Sequence, residues 1–114
     1  MTNIEFNSTC VHHFLPFIGT IDIMYVPNEY ICGASKLARV AEMFSHRLQL
    51  QEYLAGDIFE FLNLVLEPKK LGVRIVSKHC CVGCRGVKAR NANFVTFKIS
   101  EGHNKEFMEV LKNV

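Results

Sequence analysis

The chain has 114 residues, of which 49% are hydrophobic, 11% aromatic and 21% charged, a balance that fits one compact domain with a real core and excludes a disordered chain or two domains on a linker. Thirteen Lys and Arg against eleven Asp and Glu leave a net charge of +2, so bulk charge offers no footprint for nucleic acid and an anionic ligand needs a local cluster of cations. No apolar run approaches the roughly 18 residues that span a bilayer, and the N-terminal MTNIEFNSTC carries neither region of a signal peptide, so a cytoplasmic protein without membrane partners is expected.

Residues 3–10 contain a short alternating stretch, and residues 19–27 alternate apolar and polar positions before Pro27-Asn28, so both read as strands. His12, His13 and Phe14 precede Pro16 and read as the loop or distorted hairpin between them. Ser35 can cap a following helix through its hydroxyl, and Leu37, Val40, Ala41, Phe44 and Leu48 recur at helical spacing. A second helix is expected from about residue 51 to 66, with Leu54, Ile58, Phe61, Leu62 and Val65 on one face and Pro68 as its stop.

Residues 73–76 begin a third strand, residues 94–99 make a fourth, and the terminal KEFMEVLKNV has the pattern of a short amphipathic helix. The order β-β-α-α-β-β-α predicts an α+β fold with helices on one face of an antiparallel sheet. Such a sheet leaves edges, and joining copies edge to edge is one way to cover them.

Chemistry gathers around the cysteines. There are five of them, and Cys80, Cys81 and Cys84 lie within five positions, which suits metal ligation better than a disulfide framework. Cys10-Val11-His12-His13 and His79-Cys80-Cys81 together offer thiolate and imidazole, the favoured zinc ligands; Cys10, His13 and Cys81 would form a Cys2His set with a fourth position left for water. A pairing through Cys81 and Cys84 is the alternative. Cys32 reads as a small buried hydrophobe, and His46 and His103 as surface residues. Lys36 and Arg39 stand three apart near a helix start, a pattern that by itself suits a solvated face as well as an anion site.

Four segments in order carry a resemblance: Cys10-Val11-His12-His13-Phe14, Gly33-Ala34-Ser35-Lys36-Leu37-Ala38-Arg39, Gln49-Leu50-Gln51-Glu52 and His79-Cys80-Cys81-Val82-Gly83-Cys84-Arg85-Gly86. They resemble the C-E-H-H-F, G-L-S-K-hydrophobic-x-R, Q-V-Q-E-R and H-x-C-x-x-x-R-G motifs of the GTP cyclohydrolase I family. The resemblance implies the tunnelling fold, whose subunits associate through their sheets into a barrel as a pentamer or decamer. It implies conversion of GTP and water to 7,8-dihydroneopterin triphosphate and formate, a first step toward folate, pterin or 7-deazaguanine compounds.

The resemblance further implies zinc at Cys10, His13 and Cys81, and acid–base roles for His79 and His12, His79 protonating the purine N7 as C8 is attacked. Lys36, Arg39 and Arg85 would meet the triphosphate, in part from neighbouring subunits, with Ser35 near the ribose and phosphates. Glu52 would accept hydrogen bonds from guanine N1–H and the 2-amino group, with Gln51 lining the base pocket.

Three departures stand out. Val11 occupies the position of the family's Glu, Cys80 and Cys84 depart from the usual pattern, and the chain reads as a minimal form without the N-terminal helical segment of typical members. The competing expectations are a nucleotide-binding or structural subunit with reduced turnover, and a cyclohydrolase for another purine nucleotide such as dGTP.

Overall fold

The computed structural model describes residues 1–10, 16–46, 48–79, 93–100 and 109. Strand β1 (Ile4–Cys10) and strand β2 (Pro16–Val26) are followed by helix α1 (Ala34–Ser45), a two-residue strand β3 (Leu48–Gln49), helix α2 (Gln51–Leu66), strand β4 (Lys70–His79) and strand β5 (Phe94–Ile99). They form one sheet in the order β3-β1-β2-β4-β5. The α+β expectation holds, and the expected amphipathic helix at the C-terminus lies outside the described residues apart from Glu109, which is helical.

The pairings of β1 with β2, β2 with β4 and β4 with β5 are antiparallel, whereas β3 runs parallel to β1 through Thr9↔Leu48 and Cys10↔Gln49. That fifth strand corrects the four-strand expectation, and it takes Leu48 out of α1. Two residues are too few for a period-two pattern to declare itself. Strand β2 starts at Pro16 rather than near residue 19; proline is tolerated as the first residue of a strand. Strand β4 is also longer than expected.

Alternation along the strands builds the core. Ile4, Phe6, Phe17, Ile21, Ile23, Leu71, Val73 and Ile75 are all buried on the side facing the helices. Helix α1 contributes Leu37 and Ala41, and α2 contributes Leu54, Ala55, Ile58, Leu62 and Leu66. The i, i+3, i+4 spacing of these positions is what puts them on one stripe. Val65, expected on that stripe, is 51% exposed. Phe44 and Phe61 meet edge to face at 5.6 Å and join the two helices, while Phe6 and Phe17 meet likewise at 5.7 Å on the sheet.

The helix ends differ from the simplest sequence reading. Gly33, not Ser35, is the N-cap of α1, with no side-chain capping bond. Ser35 is therefore already inside the helix, and Lys36 N–H donates to the Gly33 carbonyl at 2.9 Å. Helix α2 stops where Glu67 turns left-handed, φ 46° and ψ 52°, just before Pro68. Ahead of α1, Tyr25 Oη accepts the Cys32 N–H at 3.0 Å. Cys32 is half-buried and packs against the core, as its apolar character predicts.

Candidate active site

Antiparallel pairing of β2 with both neighbours makes β1 and β4 parallel to each other. Ser8 pairs with Phe17, and Phe17 with His79, so these three residues form one row across the sheet. Cys10 ends β1 two residues beyond that row, and His79 ends β4 within it. Neighbouring strands are about 4.8 Å apart, which puts the two strand ends on the order of 10 Å from each other. Cys10 is also paired with Gln49, two residues ahead of Gln51 and three ahead of Glu52. The topology thus gathers Cys10, His79 and the start of α2 at one end of the sheet.

His12, His13, Cys81 and Arg85 lie outside the described residues. In the sequence they follow closely on what the sheet places: His12 and His13 come two and three residues after Cys10, and Cys81 two after His79. Among the described residues no three His, Cys, Asp or Glu side chains form a metal-holding group. The donor chemistry of the residues that would hold it, thiolate from Cys10 and Cys81 and imidazole from His13, nevertheless suits zinc.

Glu52 is exposed in the first turn of α2 and is the acidic residue of that turn, where the helix dipole favours a negative charge. Gln51 points the other way and is 3% exposed. Its Nε2 donates to the Ile75 carbonyl at 3.1 Å and to the Phe94 carbonyl at 2.9 Å, and its Oε1 accepts from the Ser77 hydroxyl. Both amide protons are thus committed to the sheet. Gln51 supports the neighbourhood of Glu52 from inside the fold.

Ser35, Lys36 and Arg39 are exposed at the start of α1. That helix has no acidic residue in its first turn, so Lys36 sits where the dipole disfavours a cation and an anionic ligand would offset the cost. The opposite end of α1 leads into β3, and Lys36 is roughly 13 Å along the axis from Ser45 at 1.5 Å per residue. Within one chain the structure does not draw these cations to the Cys10–His79 end. His46, on the surface as expected, has Nε2 3.8 Å from Glu42 Oε1.

An open groove of about 820 Å³ runs beside α1 and across the sheet, lined among others by Asn7, Thr20, Glu42, Ser45, Ser77 and Lys78. Its volume is in the range of small-molecule sites, and its β4 wall directly precedes His79. Ser77 belongs to none of the four motifs, and its role in holding Gln51 had no signal in the sequence.

The sequence profile of GTP cyclohydrolase I matches residues 1–112. The chain belongs to the GTP cyclohydrolase I family. It is 42% identical over 117 aligned positions to GTP cyclohydrolase 1 of Helicobacter pylori strain Shi470, an alignment that covers 97% of this chain and 65% of that protein. GTP cyclohydrolase 1 of Gloeobacter violaceus is 41% identical, with 96% of this chain and 54% of the relative covered. The chain therefore spans a little under two thirds of the first of these relatives and about half of the second.

Among solved structures, an archaeosine synthase QueF-Like in its apo form superposes with a TM-score of 0.71, covering 86% of this chain and 88% of that one at 16% identity. At that identity the likeness concerns the fold. The GTP cyclohydrolase I match agrees with the family resemblance carried by the four motifs.

Proposed function

We propose that this GTP cyclohydrolase I family member hydrolyses GTP to 7,8-dihydroneopterin triphosphate and formate. The observation that carries the reading is the convergence of Cys10, His79 and the Gln51-Glu52 start of α2 at one end of the sheet. Cys10, His13 and Cys81 would hold zinc. When bound, the metal supplies the Lewis acidity that makes water nucleophilic near neutral pH.

The chain's own residues do the rest. Glu52 accepts the guanine N1–H and 2-amino protons, a pair of donors that adenine lacks. His79 delivers a proton to N7 as C8 is attacked, and His12 serves later acid–base steps of ring opening and ribose rearrangement. Lys36, Arg39 and Arg85, with Ser35, bind the triphosphate and ribose. Because α1 carries its cations away from the Cys10–His79 end, the complete site draws on neighbouring copies in a cytoplasmic homo-oligomer, a pentamer or decamer closed through the sheets. Among the described residues no helix is long and apolar enough to cross a membrane.

The test is a single assay: purified protein supplied with Zn2+ and GTP, with formate, the fluorescence of the oxidised pterin and bound zinc all quantified on one sample. One formate per GTP consumed is expected. Cys81→Ala should lose zinc and turnover together, whereas His79→Ala should keep zinc and lose turnover. GTP bound in the presence of zinc without formate release would overturn the hydrolase and leave a nucleotide-binding subunit, a reading for which Val11 in place of the family's Glu is the motive.

A further inference from the structure

We propose that Ser77 is a positioning residue for recognition of the base: through Gln51 its hydroxyl holds the first turn of α2 on the sheet and thereby sets the place of Glu52 relative to His79. The proposal rests on the guanine-reading role given to Glu52 above. Ser77 is 2% exposed and its hydroxyl donates to Gln51 Oε1 in the protein interior. Gln51 is bonded at its nitrogen to both β4 and β5, and the Ser77 bond engages the oxygen end of the same amide. Helix α2 has no side-chain cap at Leu50, and the buried amide ties its first residue to the sheet.

The path on either side is short. Glu52 is the next residue after Gln51, and His79 is two residues after Ser77 on the same strand, about 7 Å along it. A displacement at the Ser77–Gln51 contact is therefore handed to the base reader and the proton donor with little slack. Gly19, paired with Ser77 across the sheet, keeps the place open: a Cβ on it would lie 2.9 Å from the Ser77 Cβ.

The experiment compares kcat/KM for GTP with that for inosine triphosphate, which lacks the 2-amino group. Wild type should prefer GTP; Ser77→Ala should lose about tenfold of that preference, mainly through KM for GTP, with zinc content near wild type and a thermal midpoint lowered by a few degrees as Gln51 Oε1 loses the Ser77 donor. Ser77→Thr, which restores the hydroxyl, should recover the preference. Where Ser77→Ala folds poorly, Ser77→Cys keeps the volume with a weaker donor and should show an intermediate preference. A wild-type preference retained in full by the Ala or Cys variant, or equal losses on both nucleotides, overturns the proposal alone. A wild-type protein with no preference for GTP overturns the guanine-reading role of Glu52 and the proposal with it, while the absence of formate from either nucleotide overturns the hydrolase reading itself.

Discussion

Arg74 and Asp22 face each other across β4 and β2 on the side of the sheet away from the helices, with Nη2 2.6 Å and Nε 2.9 Å from the same carboxylate oxygen. The other carboxylate oxygen accepts the Asn3 N–H at 2.8 Å. The Asp22 side chain is 1% exposed and that of Arg74 17%, so each charge depends on the other. Asp22→Ala should destabilise the protein by about 3 kcal/mol, toward the lower end for a broken buried pair because Arg74 keeps some access to water. Adding Arg74→Leu should return part of that loss. Urea denaturation midpoints of the single and double variants measure both effects.

Gly19 admits no side chain. A Cβ built there would lie 2.0 Å from the Val76 carbonyl oxygen and 2.7 Å from the Ser77 Cα, and both are backbone atoms that cannot swing aside. Gly19→Ala should cost about 3 kcal/mol as β2 and β4 are forced apart, read as a lowered denaturation midpoint.

Glu67 pays for its position at the end of α2 with a left-handed backbone, φ 46°. Its N–H closes the last turn on the Asn63 carbonyl at 3.2 Å, so the conformation is needed but the side chain is not. Glu67→Gly should raise stability by about 0.5–1 kcal/mol, the strain relieved outweighing the entropy that glycine adds to the unfolded chain. Thermal unfolding should show a midpoint a few degrees higher.

Lys36 and Arg39 are exposed, so alanine at either position should change stability by no more than about 0.5 kcal/mol. If they grip phosphates, each substitution should weaken GTP binding about tenfold or more, the scale of one charge-assisted hydrogen bond. Guanosine, which has no phosphates, should bind the variants and the parent alike. Calorimetric titration with the two ligands separates the outcomes.

Periodic burial made much of the fold legible. Leu54, Ile58 and Leu62 recur at helical spacing because one side of α2 meets the sheet, and Ile21 and Ile23 alternate because one side of β2 meets the helices. The candidate site was legible for a different reason: thiolate, imidazole and carboxylate chemistry needs particular side chains at short spacings, as in Cys10-Val11-His12-His13. What escaped was set by contacts distant in the chain. Asp22 meets Arg74 across 52 positions and Gln51 meets Ser77 across 26, and neither partner leaves a local mark on the other. Ser35 reads as a cap from its hydroxyl alone, whereas Gly33, without a side chain, performs that office silently.

The short β3 rung gives the stretch between the helices a length rule. Helix α1 ends at Ser45, Leu48 and Gln49 are paired with Thr9 and Cys10, and Gln51 is already tied to β4 and β5. With α1, β3 and Gln51 each fixed in this way, a change of length here cannot be absorbed as it is in a surface loop. Deleting a single residue there would force a choice between keeping Gln49 beside Cys10 and keeping Gln51 on the Ile75 and Phe94 carbonyls, so variation in chain length should be confined to other connections of the fold.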